Sequence, residues 1–547
     1  MTEVAESRSA PWSATASTRW SAPWSALAPV AWLGVFVILP MATLLTTHVD
    51  AADATRVLSR ASTRETLWFS VWQAVVSVLF AFALATPVTW LVGRHDFRGR
   101  RVLRSVASIG FLLPSIVVSA GFLALLPNDL DTSLFAVFIA HAYFNVAVVL
   151  RVVATRLESL DTRLMWAART LGAGPLRTVV SVWWPALRGA IVSAGAVIFI
   201  YCFSSYAVVR TLGGPSRNTL ESDIAVRAYA IGDIGGAVVL SLLQIATIVV
   251  VVLLGRRVTR DANFGVRRTR VTLGRLANSR TLIARSIAIV TVGFVLAPLA
   301  ALAVSSLRVG EQWSIAGWRA VFSGGISGST SPLQALWSSA RTAFVASIFG
   351  VVLAVLMSHA VTRLGTRGRW LEVFAMLPLA VSPVTLGLGL IVTFDEHWYD
   401  WRGAWWFVAV VHTIVAFPLA VRVLVPSWRN VSPVLRDAAA VLGASPARRL
   451  LDIDLRLLRP AIVAAIALIG AVSLGEFGAA SMLSRSGAET LPVAISRLLG
   501  RTGDVVRTQA FVLATLLVVA CLAGLLVIDG TDWRTRPSRK ASRARSH

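Results

Sequence analysis

Residues 161–175 read Asp161-Thr-Arg-Leu-Met-Trp-Ala-Ala-Arg-Thr-Leu-Gly-Ala-Gly-Pro175, and residues 432–446 read Ser432-Pro-Val-Leu-Arg-Asp-Ala-Ala-Ala-Val-Leu-Gly-Ala-Ser-Pro446. The two stretches are in register at a constant offset of 271 residues. That register carries His141–Ile224 onto His412–Ile495 without a gap, matching His141 with His412, Arg151 with Arg422, Arg188 with Arg459 and Leu220 with Leu491. Self-similarity over this length marks a duplicated structural unit. Each copy reads as a short amphipathic helix, a glycine turn and a second short helix. Gly172 and Gly443 can take the positive φ that ends a helix, and Pro175 and Pro446 suit the first turn of the next one. The pairs Ala167-Ala168 and Ala438-Ala439 leave a shallow face on which another protein can pack closely.

The setting of both copies is apolar. Of the 547 residues, 56% are hydrophobic and only 14% charged, against about 45–50% apolar in a soluble domain. Charges cluster between apolar runs of roughly 20 residues, the length of a membrane-crossing helix. Hydrocarbon cannot satisfy an open backbone, so these runs must be helices or closed-barrel strands, and their length selects helices. The expected fold is an all-α polytopic membrane protein of about twelve transmembrane helices in two parallel six-helix repeats. Spans are expected at about 28–47, 67–92, 105–127, 133–153, 186–209 and 236–255, then 283–305, 338–361, 371–394, 404–425, 459–482 and 509–528. The organisation expected is a disordered cytoplasmic tail at 1–26, a first unit at 27–256, a basic cytoplasmic linker at 257–282, a second unit at 283–529 and a basic cytoplasmic tail at 530–547.

Net charge is +25. Most of the Arg lies in short loops, which points to positive-inside topology and away from nucleic acid. Arg94, Arg98, Arg100, Arg101 and Arg104 fill one loop, and Arg363, Arg367 and Arg369 its counterpart. With the linker and the tail they fall on one side, which is then cytoplasmic, as are both termini. An even span count gives the halves the same orientation, related by an axis along the membrane normal. The stretch Ser323–Ser331 reads as a flexible external loop. Cys202 and Cys521 sit in apolar runs as core residues, and no metal-ligand spacing is visible. The single Lys, Lys540, lies in the basic tail, so no Walker A phosphate loop exists and the chain itself binds no ATP by that route.

The spacing of an acidic residue, Ala-Ala, three residues and Gly, in the last large cytoplasmic loop of a membrane subunit, resembles the EAA motif of ABC importer permeases with MetI-like units. Asp437, Ala438, Ala439 and Gly443 match it; in the first copy Trp166 replaces the acid while Ala167, Ala168 and Gly172 remain. Further stretches, Phe203-Ser-Ser-Tyr-Ala207 and Ser473-Leu-Gly-Glu-Phe-Gly478 among them, are most similar to the fused two-copy permeases of thiamine and ferric-iron importers. The resemblance implies a multi-pass protein of the bacterial plasma (inner) membrane and a solute translocation path for thiamine first, ferric iron next. It implies coupling loops that dock on two separate ABC ATPase subunits, an extracytoplasmic solute-binding protein as partner, and no catalytic residue, metal or cofactor in this chain; ATP and Mg bind the partner ATPase.

Polar groups within spans often mark pathways. Glu476 with Phe477, and their counterparts Ser205 and Tyr206 beside Ser204, are the candidate translocation path, and a carboxylate there would favour a cationic solute. Equally, Glu476 could cap a helix break or pair with an Arg. His141, His412 and Asn145 read as packing or helix–helix residues. The competing function is a twelve-helix secondary transporter of the major facilitator type, suggested by Gly93-Arg-His-Asp-Phe-Arg-Gly-Arg-Arg101. The paired coupling loops have no role in such a protein.

Overall fold

The computed structural model describes residues 24–47, 51–160, 162–214, 217–262, 274–275, 281–323, 331–394, 401, 404–485 and 489–534. Most of the tails 1–26 and 530–547, of the linker 257–282 and of the stretch Ser323–Ser331 lies outside the described residues. The architecture is a helical membrane bundle in which ten principal helices occur twice. The first set is α1 (Trp24–Thr47), α2 (Ala61–Arg94), α3 (Arg100–Ile109), α4 (Ser115–Leu125), α5 (Leu134–Glu158), α6 (Thr162–Thr170), α7 (Leu176–Phe203), α8 (Ala207–Leu212), α9 (Leu220–Val226) and α10 (Ile234–Val258). The second set is α11 (Thr281–Ser305), α12 (Pro332–Arg363), α13 (Gly368–Ala375), α14 (Pro383–Phe394), α15 (Trp405–Arg429), α16 (Pro433–Val441), α17 (Pro446–Gly475), α18 (Gly478–Leu483), α19 (Leu491–Leu499) and α20 (Asp504–Gly524).

Among the described residues ten helices are long and apolar enough to cross a membrane, five per unit. The expected spans 105–127 and 371–394 are not continuous helices. Each is split into a short amphipathic helix (α3, α13) and a short apolar one (α4, α14). A proline stands at both breaks, and the residue before a proline is forced out of the helical region. Leu113, directly before Pro114, has ψ 143°; in the second unit the chain is already extended at Val381, ψ 136°, two residues before Pro383. The expected spans 186–209 and 459–482 also end early, at Phe203 and Gly475, and a short helix follows each break.

The first helix of each unit packs on the opposite unit. Trp32 of α1 meets Phe349 and Phe417 edge-on, with ring centroids 6.0 and 5.6 Å away, and Ser25 Oγ lies 2.8 Å from His359 Nδ1. Reciprocally, the Tyr143 hydroxyl of α5 donates to the Val295 carbonyl of α11 at 2.9 Å. Glycine makes both crossings close. A Cβ on Gly121 would lie 2.9 Å from the Pro298 carbonyl oxygen, and one on Gly389 would lie 3.2 Å from Pro40 Cβ. Small residues let membrane helices approach where lipid offers no hydrophobic drive to associate. The two units are therefore interlocked and not merely adjacent.

Ion pairs brace the end of the bundle that carries α6 and α16. Glu158 is bound by Arg100 at 2.7 Å and Arg104 at 3.1 Å. In the second unit the charges are exchanged, with Arg429 on Glu372 at 2.7 Å. The basic loops picked out in the sequence thus share one end of the molecule with the two coupling stretches. From the linker, Gly274–Arg275 pairs in parallel with His95–Asp96 at this same end.

Candidate functional site

The two stretches expected to couple to an ATPase fold alike. α6 and α16 each span nine residues and end on a left-handed glycine, φ +77° at Gly172 and +80° at Gly443. The amide of Ala173 returns to the Ala168 carbonyl at 3.0 Å, and that of Ala444 to Ala439 at 2.9 Å. These bonds satisfy carbonyls that the helix end would otherwise leave open. Helices starting at Pro175 and Pro446 follow, and each runs on into the next long span instead of stopping as a separate short helix. Each also carries a π-helical turn at its entry, Val179–Trp183 and Leu450–Asp454, at the same repeat offset. π-turns concentrate at functional sites, and this one joins a coupling helix to a span in both units.

Trp166, Ala167, Asp437 and Ala438 are exposed, and Ala168 and Ala439 half-buried. Beside them stand apolar side chains that composition alone did not single out: Leu171, Val441 and Leu442 are 86–88% exposed. Together they leave an exposed apolar patch projecting past the helix end. The units differ in bracing. Arg436 of α16 binds the fully buried Asp454 at 2.7 Å, whereas Met165 and Trp183 stand at the corresponding places in the first repeat.

Deep in the bundle the breaks after α7 and α17 meet on the axis between the units. Tyr206 and Phe477 stack with ring centroids 5.2 Å apart and planes 15° from parallel. They separate two cavities. One, of about 740 Å³, includes Asp131, Arg210, Arg501 and Asp504 and lies toward the end opposite the coupling helices. The other, of about 360 Å³, lies on the coupling side and is lined in matched pairs: Phe144 with Val415, Tyr201 with Val472, Ser204 with Gly475, Ser205 with Glu476. Both cavities touch Tyr206 and Phe477. All five residues expected along a path, Ser204, Ser205, Tyr206, Glu476 and Phe477, are thus brought together.

Glu476 does cap a break: its two carboxylate oxygens accept from the amides of Ala479 and Ala480, both at 2.9 Å. It also lines the coupling-side cavity, so capping and lining coexist. His141 bridges Ser77 and Ser205 at 2.8 Å on either ring nitrogen. His412 contacts Ser473 at 2.7 Å and lies 3.5 Å from Glu476. Both imidazoles are buried and position the broken segments. Asn145 donates to the His141 carbonyl at 2.7 Å and to Cys202 Sγ at 3.4 Å.

A second buried carboxylate, Glu221, was not among the residues expected along the path. It sits in the matched Thr-Leu step, where the other repeat has Pro492. Gln244 donates to it, and Gln244 also reaches Ser204 at 3.2 Å. The departure from the repeat at an otherwise matched step was the available signal.

Outside the spans, Asp233 ties Arg56 and Arg227 at the far end, each at 3.3 Å. Partial burial acts to raise its pKa, but the Gly236 amide and the two guanidiniums outweigh that and hold the carboxyl below its ordinary value.

Two interlocked helical units, a matched pair of protruding short helices and an axial aromatic constriction are the frame of a membrane transport permease. The chain belongs to the family described as binding-protein-dependent transport system inner membrane component, whose model matches residues 85–261 and 346–532. It is similar to the thiamine transport system permease protein ThiP of Brucella suis biovar 1, 26% identical over 494 residues that cover 86% of this chain and 88% of the relative. The Escherichia coli K12 protein of the same name is 27% identical over 490 residues, 84% and 88% of the two chains. A putative 2-aminoethylphosphonate transport system permease protein PhnV of Salmonella paratyphi A is 34% identical over 169 residues, 31% of this chain and 64% of the relative. This multi-pass inner-membrane family takes the place of the facilitator reading of Gly93–Arg101.

Proposed function

We propose that this permease forms the translocation path of an ABC importer for thiamine. Long, full-width similarity to permeases named for thiamine supports that solute ahead of ferric iron. The observation that carries the mechanism is the duplicated chain of parts from exposed helix to constriction: α6 and α16, their π-turns, α7 and α17, and the Tyr206–Phe477 stack. Two ABC ATPase subunits bind α6 and α16, placing that end in the cytoplasm with both termini. A solute-binding protein docks at the opposite end, over the cavity holding Arg210 and Arg501. ATP and Mg are held by the ATPases, and the chain itself holds no cofactor. Closure of the ATPase pair moves the coupling helices; α7 and α17 transmit the movement and part the aromatic rings.

The test is reconstitution with the ATPase and binding protein in liposomes. ATP-dependent uptake of labelled thiamine, absent without either partner, is the expected result. Uptake of ferric iron in place of thiamine overturns the solute, and gradient-driven uptake without an ATPase overturns the mechanism.

A further inference from the structure

The coupling-side cavity carries two acids in a wall of aromatic and aliphatic side chains, with Ser115, His141, Asn145, Ser204 and Ser205 as its other polar groups. Glu221 is 1% exposed and Glu476 6%, both line the cavity, and they are near enough to repel one another. Among the described residues neither has an Arg or Lys ion-pair partner; Glu476 has only the His412 ring at 3.5 Å. Buried like charges without counter-ions are costly. They are instead hydrogen-bonded in place, Glu476 by two backbone amides and Glu221 by Gln244. Donors from protein dipoles hold each carboxyl group in position but supply no counter-charge, and a cation entering the cavity would supply it.

The rest of the wall suits a flat cation. Tyr206 and Phe477 form its ceiling, and Phe111 and Tyr201 meet edge to face at 5.9 Å along its side. Aromatic faces attract cations, most strongly where water is excluded. Its volume of about 360 Å³ lies in the range of roughly 300–1,000 Å³ typical of small-molecule sites. The matched pair Arg151 and Arg422 acts on Tyr201. These guanidiniums belong to the stretches of α5 and α15 nearer α6 and α16, on the far side of the cavity from the constriction.

We propose that this cavity is a transient binding site for an aromatic monocation, held between Glu221 and Glu476 against the aromatic wall immediately after it passes the Tyr206–Phe477 stack. The proposal rests on the thiamine reading for the identity of the cation: thiamine joins a permanently charged thiazolium to an aminopyrimidine. It adds that the permease itself, and not only the binding protein, recognises the charge. Glu221 supplies specificity through charge alone, whereas Glu476 combines charge with capping of α18.

The test is equilibrium binding to the full-length permease in lipid nanodiscs, without ATPase or binding protein. The probes are thiamine, its uncharged oxidation product thiochrome, and benzyltrimethylammonium. The wild type should bind thiamine and benzyltrimethylammonium but not thiochrome. Glu221→Gln should weaken cation binding by about tenfold or more, the loss expected for one charge contact of roughly 1.4 kcal/mol. Glu476→Gln should do the same; if it fails to fold, Glu221→Gln decides alone. Equal thiochrome binding, or unchanged cation affinity in Glu221→Gln, overturns the site. Binding of benzyltrimethylammonium without thiamine supports the site and removes thiamine as its occupant. Unaltered KM and kcat for thiamine uptake in Glu221→Gln overturns the site while leaving the thiamine reading intact.

Discussion

Tyr206 and Phe477 occupy the same place in the two repeats and lie face to face on the axis between them, 5.2 Å apart. Each sits at a helix break, so its ring is set by the α7 or α17 segment behind it and by the short helix ahead. Stacked pairs contribute about 0.5–1.5 kcal/mol beyond area burial. Removing one ring, as in Tyr206→Ala or Phe477→Ala, should raise the open population roughly 2- to 10-fold. The measurement is thiamine leak into liposomes without ATP. Leak unchanged in both variants would place the barrier elsewhere.

Gly172 and Gly443 have positive φ and nothing within 4 Å of a built Cβ. Alanine there meets no clash, only the backbone cost of the left-handed region, about 1–2 kcal/mol. Gly172→Ala and Gly443→Ala should therefore fray the ends of α6 and α16 and weaken ATPase association severalfold, with insertion intact. Gly443→Asp should be more severe, because it sets a carboxylate at the negative C-terminal end of α16 on an exposed surface. Gly174→Ala is the control, since Gly174 is equally open and lacks the positive φ. ATPase co-purification at equal permease level is the readout, and equal loss in the control would show that flexibility, not helix termination, is at issue.

Most of the fold was legible because membrane helices write themselves as long apolar runs, and the repeat located the coupling stretches by register alone. The broken helices were not legible. Spans 105–127 and 371–394 are apolar apart from Glu372 and a few hydroxyls, and only prolines (Pro114 in the first, Pro378 and Pro383 in the second) signal the breaks that set α4 and α14 beside the cavities. Proline is tolerated in several continuous spans here, Pro87 and Pro298 among them, so its presence does not announce a break. The aromatic stack was half legible: the offset pairs Tyr206 with Phe477, but contact between equivalent residues requires knowing that both lie on the axis. The exchange of α1 and α11 between units left no mark in the sequence, because lipid-facing and partner-facing apolar residues look alike.

The Arg436–Asp454 pair fixes α16 to the base of α17, and the first unit lacks it. Asp454 is fully buried and its Oδ2 has no hydrogen-bond partner. Arg436→Met should strand that carboxylate at a cost of about 3–5 kcal/mol, and Asp454→Asn in addition should recover part of it. The expected result is loss of ATP-driven uptake in the single variant with basal ATPase activity retained, and partial recovery in the double. Equal behaviour of single and double variants would mean that the pair does not act as a unit.

The seams where α1 and α11 cross to the opposite unit should differ in tolerance. At Gly121 the obstacle to a side chain is backbone: the Pro298 carbonyl would lie 2.9 Å from Cβ. At Gly389 the nearest atom is Met41 Cε at 2.6 Å, the end of a flexible chain that can swing aside. Overpacking costs about 1–3 kcal/mol where the surroundings cannot yield. Gly121→Ala should therefore lower the midpoint of thermal unfolding in detergent clearly more than Gly389→Ala does. A cysteine pair at Gly389 and Pro40 should cross-link units cut apart in the linker, since the two positions already touch. Equal destabilisation by the two alanines, or no cross-link after cleavage, would mean that the first helices do not exchange between the units in the membrane.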